Sequence, residues 1–500
     1  MKLRRLSILI PTALLLSACI FSPGETTPLP AHLRQVTIFF TADEHGYLEP
    51  LEDGNTTIGG AAGLMAHLVA EGYEPHSDSA LLLSGGDMWT GPAVSSWFQG
   101  LSAVTVFNAM SYDAAALGNH DFDFGQPVLA ANAAEAEFPF LAANLTETES
   151  GATPDFAQPY TIRQVNGVQV GIVGLSLQST PQIVVPDYVA GLDFGDYETA
   201  LREAVPQARA AGAELVVVIA HVCPNDLSAI AATAAELEIP LLAGGHCHQL
   251  TITERRGVLV VGAGSHWDHL IRVDLLYDQE TGAVVEQEAR AVSNLYRTAE
   301  GSPVTPDPTI AALVAEWTAQ TDELLGEVIG YTTTGIEVDW PLYNLVTDSW
   351  LWAYPEGNLA ISNPGGFREI IPPGEITLAD IVAVMPFDNS LIDVELTGAE
   401  VLENLRCCGG VVAGMTVRSG PAGIAVTLRD GSSLDPQATY HVLVNSYIYQ
   451  GGDGYLFGTQ DPDAYDTGIH WRDPVIEWLR IQGTSPEQPL EELLDDTARN

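Results

Sequence analysis

Gly118-Asn119-His120-Asp121-Phe122-Asp123-Phe124-Gly125 sets an amide, an imidazole and two carboxylates in one short turn bounded by glycines. An amide oxygen beside an imidazole suits a divalent cation better than it suits an ordinary turn. Working outward, four more blocks of the same chemistry follow in chain order: Asp43-Glu44-His45, Gly86-Asp87, His221 and Gly245-His246-Cys247-His248. Each follows an apolar run that reads as a β-strand, and loops at strand ends gather side chains on one rim of a sheet. Two divalent ions need about seven protein groups, imidazole mixed with carboxylate oxygen, with one carboxylate shared. Asp43, His45, Asp87, Asn119, His221, His246 and His248 make up such a set. The small Gly86 lets Asp87 approach two ions, and His246 and His248 fall on the same side if the chain there is extended.

Buried-strand patterns at 35–43, 80–84, 138–144, 215–220, 240–243 and 258–261 alternate with helix-period segments at 63–71, 101–110, 128–136, 197–211 and 226–237. Such alternation predicts a layered α/β domain over 35–297. Turn signals at 165–168 and 278–282 mark hairpins, so its sheets are expected to be mixed. Residues 298–327 read as a linker and a connecting helix over 309–325. A second domain is expected over 328–483, with helices at 343–354 and 398–406 and strands at 359–362, 391–396 and 441–444. The Pro- and acid-rich tail 484–500 is expected to be partly disordered, and no internal repeat is found.

Asp43/His45, Asp87, Asn119/His120, His221 and His246/His248 resemble the calcineurin-like metallophosphoesterase pattern. The fuller run 118–125 is similar to that of the 5′-nucleotidase family, and the likeness covers about residues 35–475. It implies a four-layer metallophosphoesterase sandwich, mixed sheets flanked by helices, joined by a helix to a smaller α/β substrate-binding domain. It also implies two divalent cations, with Zn, Mn and Co as candidates. Asp43, His45, Asp87 and His248 would hold one; Asp87, Asn119, His221 and His246 would hold the other. His120 and Asp123 resemble the family's catalytic pair. A histidine beside a ligand but not spent on metal can stabilise a transferring phosphoryl group or protonate its leaving oxygen. A carboxylate three residues on fixes its tautomer and favours its charged form.

In the second domain, Asn363-Pro364-Gly365-Gly366-Phe367-Arg368 resembles the segment whose Asn and Arg contact substrate, and an Arg fork grips phosphate in two places. Phe387 and Tyr447 match positions where the family stacks a nucleobase between two rings, and Asp453 matches its ribose-binding carboxylate. The resemblance therefore implies hydrolysis of nucleoside 5′-monophosphates by a water ionised between two cations, attacking phosphorus in line without a phosphoenzyme. Substrate would bind between the domains, whose rotation would release product. One departure is that 335–343 contains no arginine where relatives often carry an additional phosphate-binding one, which puts substrates with several phosphates in doubt. Sibling chemistries share the metal blocks: 2′,3′-cyclic nucleotide phosphodiesterase, nucleotide-sugar hydrolase or a sulfur-compound hydrolase. From a different class, a lipoprotein that captures nucleotides or metals is the alternative, although capture has no use for a general acid such as His120.

The chain has 500 residues, 46% hydrophobic and 17% charged, enough for two or three cores, with two large domains the expected count. Lys2, Arg4 and Arg5 precede an apolar run, and Leu16-Ser17-Ala18-Cys19 looks like a bacterial lipobox. Cleavage of a 1–18 signal peptide would leave Cys19 lipidated on a 19–34 tether, giving an exported, membrane-anchored protein at the cell surface or in the periplasm. An uncleaved anchor or an ordinary secretory signal are the alternatives; the apolar run is short for a span. The net charge of −46, with no lysine after the leader, repels polyanions, so no nucleic-acid polymer is expected as a partner; a small nucleotide is. Cys223, Cys247, Cys407 and Cys408 remain. If His221 and His246 meet at one metal, Cys223 and Cys247 also lie close enough to pair; four unpaired thiols are the alternative. Cys407-Cys408 corresponds to no motif. His67, His76, His266, His269, His441 and His470 read as surface or satisfied core residues.

Overall fold

Alternation with period two sorts the strand Leu33–Thr41 between two neighbours: Ile38 and Phe40 face a second sheet, while Phe39 faces helices. Both faces are buried, which is why its apolar pattern runs unbroken. The computed structural model describes residues 29–53, 56–297, 301–421 and 423–500. The expected signal peptide 1–18 and Cys19 lie outside the described residues, as does most of the tether. The first strand opens at Leu33, two residues before the expected domain start.

Two six-stranded sheets pack face to face. The first runs in the order Ala283–Ser293, His269–Asp278, Leu33–Thr41, Ala80–Ser84, Ala114–Ala116, Phe140–Leu141. Its last four strands are parallel, and the first two form the hairpin expected at 278–282. The second runs Leu250–Arg255, Val258–Ala263, Leu241–Gly244, Leu215–Ala220, Val168–Leu175, Tyr160–Val165. Its four central strands are parallel, and an antiparallel strand closes each edge. Leu81, Leu83, Ile172, Val217, Ile219 and Val261 fill the space between the sheets. Helices Ala61–Ala70, Leu101–Met110 and Gly125–Glu135 cover one outer face, and Tyr197–Ala210 with two shorter helices covers the other. The result is the expected mixed α/β sandwich of four layers.

Two expectations for this domain change. The strand expected over 138–144 shrinks to Phe140–Leu141, because Ala142 and Ala143 leave the first sheet and donate to Gln158 and Gly174. The helix expected over 226–237 is two, Pro224–Ala229 and Ala231–Glu236. Ile230 sits between them at φ −91° and ψ 5°, and its N–H bonds back only three residues to Leu227 while its side chain stays buried.

The connecting helix Pro308–Leu325 begins where Asp307 accepts from the N–H groups of Thr309 and Ile310, with Pro308 at the first helical position. Ile310 and Val314 bury into the first domain, and Leu325 meets Ala93 and Val382 at the junction with the second. There a five-stranded mixed sheet orders as Val411–Ala413, Leu359–Ser362, Thr439–Asn445, Ser390–Thr397, Tyr465–His470. Helices Trp340–Ala353 and Asp473–Gln482 pack on one face and Gly398–Cys408 on the other.

The tail corrects the expectation of partial disorder. Leu490 is buried in the second domain's core, and Asn344 Nδ2 donates to the carbonyls of Asp495 and Thr497 at 2.7 and 3.0 Å. The Arg499 guanidinium forks onto Asp348 at 3.0 and 2.6 Å. Acidic composition averaged over the segment hides these few anchors, which outweigh it. Among the described residues no helix is long and apolar enough to cross a membrane.

Candidate active site

All five ligand blocks lie at or just beyond the carboxyl ends of parallel strands, and the two sheets present them to one another. The chain then turns abruptly: Asp43 (φ 54°), His45 (φ 49°), Asp87 (φ 58°), His246 (φ 73°) and His248 (φ 52°) all adopt left-handed backbone. That conformation costs a residue with a Cβ about 1–2 kcal/mol. Bonds between loops hold it. The Asp121 carboxylate accepts from the N–H groups of Gly118, Met88 and Asp87 at 2.7, 3.0 and 3.2 Å. Asp43 accepts from the His246 N–H at 2.8 Å, and the His45 N–H donates to the Asp87 carbonyl at 2.9 Å.

Gly118 is required by contact: a Cβ there would lie 2.1 Å from Asp87 Oδ1. Gly118→Ala is therefore expected to displace the Asp87 carboxylate and lower turnover by about 100-fold, as disruption of groups orienting metal ligands does. Bound metal measured by plasma emission should fall with it; unchanged metal content and kinetics would refute the contact.

Asp43, His45 and His248 bring one donor atom each within 4.8 Å of one another, and so do Asp87, His221 and His246. His45 Nε2 and His248 Nε2 are 3.2 Å apart, with Asp43 Oδ1 3.7 Å from His248 Nε2. Asp87 Oδ2 stands between the groups, 3.0 Å from His221 Nε2 and 3.8 Å from His45 Nε2. Each buried ring is oriented from behind, since His221 Nδ1 lies 2.9 Å from the Gly85 carbonyl and His45 Nδ1 3.2 Å from that of Thr90. A carbonyl only accepts, so Nδ1 carries a proton in both rings, and the neutral His45 leaves its Nε2 lone pair to the site. At His221 burial opposes the charge, but the Asp87 and Asp43 carboxylates overcome it and raise the ring to about 9, so its Nε2 gives up a proton when it takes a cation.

These residues fit divalent cations on a further count. Asn119 Oδ1 is buried without a hydrogen-bond partner among the described residues, which costs about 1–3 kcal/mol unless something else satisfies it. The donor set is imidazole and hard oxygen, as borderline divalent ions prefer.

Burial dominates the local acid–base balance. It drives His45 well below the usual imidazole range and takes His246 down to about 4, so both rings are neutral, the form that binds metal. Burial pushes Asp43 up to about 7. For Asp87 burial acts the same way, but the His221 and His120 charges overcome it and hold the carboxyl well below its usual range. Burial opposes protonation of His120 too, and there the Asp123 and Asp87 carboxylates win and raise it. His120 Nδ1 and Asp123 Oδ2 are 2.8 Å apart. The His120 N–H donates to Asp87 Oδ1 at 2.8 Å, tying the pair to the ligand cluster.

Across from this rim a cleft lies between the domains. Asn119, His120, Asp123 and His246 line it from one side, and Asn363, Arg368, Phe387, Tyr447 and Asp453 from the other. The Phe387 ring lies 6.1 Å from that of His120, nearly parallel to it. Asp453, itself at φ 54°, accepts from Asn363 Nδ2 at 3.0 Å and from the Tyr447 hydroxyl at 2.7 Å. Burial, then the Asp453 charge, pushes the Tyr447 phenol up, so it remains a donor. Arg368 forms no ion pair among the described residues, and its charge adds to the burial that depresses His45 and His248.

Residues 328–459 match the 5′-nucleotidase C-terminal domain. The chain is 26% identical over 523 residues to a 5′-nucleotidase of Vibrio cholerae, covering 91% of each. A 5′-nucleotidase precursor of Thermus thermophilus superposes with a TM-score of 0.77 at 26% identity, over 93% of this chain and 99% of that one. The chain is thus similar along most of its length to 5′-nucleotidases, and it shares their fold. It is also 28% identical over 470 residues to the endonuclease YhcR of Bacillus subtilis, covering 85% of this chain but only 37% of that longer protein.

Within this 5′-nucleotidase fold, every sequence-derived site residue in the described part reaches the metal rim or the cleft. Four features escaped the sequence. His266, read there as an ordinary histidine, packs its ring 5.8 Å from His45 and 5.7 Å from His248 and stacks on Tyr47 at 3.8 Å. Burial takes His266 down to about 3, so its surroundings are those of the site. Asp121 lies in the opening motif, yet its work as a backbone acceptor leaves no trace in spacing. Tyr47 donates to Glu369 across the domain boundary, a contact spanning more than 300 residues. Ile183, Val184, Val185 and Tyr188 form a first-domain wall of the cleft from two short helical turns and the link between them, a segment with no motif. His67, His441 and His470 find a backbone or carboxylate partner, as expected of satisfied histidines. Cys223 and Cys247 form a disulfide beside His221 and His246, which favours the paired alternative. Cys407 and Cys408 are bonded to each other.

Proposed function

We propose that the chain is a metal-dependent phosphomonoesterase that converts nucleoside 5′-monophosphates to nucleoside and phosphate. One observation carries this reading: the Asp87 carboxylate stands between two donor groups beside a cleft whose far wall holds two aromatic rings and a guanidinium with no ion pair among the described residues. Asp43, His45 and His248 would hold one cation and Asn119, His221 and His246 another, with Asp87 shared. When bound, such cations supply Lewis acidity and positive charge at the phosphoryl oxygens.

The chain's own groups do the rest. Arg368 binds phosphate oxygens and fixes their orientation. His120, kept charged by Asp123, neutralises the charge that grows on the phosphoryl and leaving oxygens and delivers a proton to the latter. Phe387 and Tyr447 offer flat apolar faces to the base, and Asp453 accepts from sugar hydroxyls. Closure of the cleft excludes bulk water, and a domain rotation releases product.

The deciding experiment is a substrate panel after reconstitution of the apoprotein with Mn²⁺, Zn²⁺ or Co²⁺. Adenosine monophosphate should be turned over faster than cyclic nucleotides and nucleotide sugars. Faster turnover of either of those classes, or none at all, would overturn the reading. Phe387→Ala is expected to raise KM for adenosine monophosphate by about tenfold, the stacking contribution per base, while leaving KM for p-nitrophenyl phosphate nearly unchanged. Equal effects on both would argue against stacking.

We further infer export with a lipid anchor at Cys19. The disulfides support an oxidising compartment. Labelling of the wild-type protein, but not of Cys19→Ala, by a palmitate analogue would support the anchor; equal labelling would refute it.

A further inference from the structure

The adjacent pair Cys407-Cys408 closes the helix Gly398–Cys408, one of whose residues reaches directly to the loop that carries Asp453. Asn404, fully buried on that helix, accepts from the Leu456 N–H at 2.8 Å and donates to Gln460 Oε1 at 2.6 Å. The Tyr455 hydroxyl donates to the carbonyl of Gly409, the residue after the pair, at 3.2 Å. Cys407 Sγ lies 3.9 Å from the Gly454 carbonyl, and a Cβ at Gly454 would stand 3.9 Å from Cys408 Sγ. The two sulphurs therefore lie against Gly454, the residue after Asp453. The loop holds a backbone that needs support from its surroundings, since Gly451, Asp453 and Gly454 all take positive φ of 99°, 54° and 81°. Cys408 packs against the same cluster as Tyr447 and Tyr455, whereas Cys407 is exposed.

We propose that the Cys407–Cys408 disulfide is a positioning element for the nucleoside end of the cleft, holding Asp453 where it meets Asn363 and Tyr447. Opening it loosens substrate recognition without touching the phosphate end. The opening step uses an external dithiol. Its thiolate attacks the exposed Cys407 sulphur, Cys408 leaves as a thiolate and takes a proton, and the reductant's second thiol displaces Cys407. Two electrons and two protons pass to the protein, which ends with two thiols, and the reductant ends as a disulfide. The Cys407 S–H then becomes a donor, with the Asn404 main-chain carbonyl 3.2 Å away, and the two sulphurs are no longer held together against the loop.

The inference rests on the nucleotide reading of the site, and its test separates the two. In the full-length metal-loaded protein, Cys407→Ser/Cys408→Ser is expected to raise KM for adenosine monophosphate by about tenfold, the loss of a hydrogen bond to a charged group. Its kcat, and its KM for p-nitrophenyl phosphate, should stay within about twofold of wild type. Dithiothreitol should produce the same split in wild type and no further change in the double variant at the nucleoside end. Alkylation followed by peptide mapping identifies which disulfide has opened. Equal effects on both substrates, an unchanged KM for the nucleotide, or free Cys407 and Cys408 thiols in the air-oxidised protein would each overturn the proposal. If the double variant does not fold, the dithiol titration of wild type with mapping decides alone. If wild type hydrolyses neither ester, the function reading fails; calorimetric binding of adenosine to oxidised and reduced protein still tests the loop. Weaker binding after reduction would support it, and equal binding would overturn it.

Discussion

Asp87→Asn is expected to abolish turnover and to weaken binding of every cation in the site while leaving the fold intact. The carboxylate is almost wholly buried, with Oδ2 3.0 Å from His221 Nε2 and 3.8 Å from His45 Nε2, and Oδ1 accepts the His120 N–H. An amide keeps the volume and one oxygen but loses the negative charge and turns an NH2 toward groups that need an acceptor. A shared carboxylate contributes several kcal/mol, and about 1.4 kcal/mol is tenfold in rate, so a loss of at least about 1,000-fold is expected. Plasma emission on the dialysed protein, run beside the activity assay, reads both consequences. Full activity with full metal content would remove Asp87 from its place between the two groups.

His120→Ala should lower turnover by about 10²- to 10⁴-fold, the range of a positioned general acid, with metal content unchanged. Loss of metal would instead make His120 a ligand. A companion measurement uses pH. Burial works against the charged imidazole, and the Asp123 carboxylate works for it and prevails, so the ring titrates above its ordinary value. A raised group stabilises the folded protein fully below its unfolded pKa, and that stabilisation is lost as pH rises through the folded one. Activity that needs the charged ring follows the same sign and declines on the alkaline side. Asp123→Asn removes the principal favourable charge, so the alkaline limb of kcat should move to lower pH. A limb that stays in place would exclude His120 as its source.

The sandwich was legible because each central strand is buried on both faces and reads as an uninterrupted apolar run; 80–84 and 215–220 were bounded to the residue. The rim was legible for a related reason, since its ligands follow those runs directly. Contacts made at long range were not. His266 looked ordinary because its neighbours His45 and His248 are supplied by other loops, and Glu369 meets Tyr47 only once the domains come together. Left-handed backbone at Asp43, Asp87 and His246 was equally hidden, since glycine is the residue that announces it. The tail misled by composition: Leu490 and Arg499 anchor a segment that on average looks unfoldable. The split at Ile230 turns on one residue's backbone angles, which helical periodicity does not report.

The left-handed turns at five of the seven rim positions set a limit on transplantation. A designer who copied only those side chains onto another scaffold would obtain loops that unwind toward ordinary angles and scatter their donors. The portable unit is larger, comprising Asp121, Gly118 and the lattice of amide contacts that keeps the chain coiled the unfavourable way.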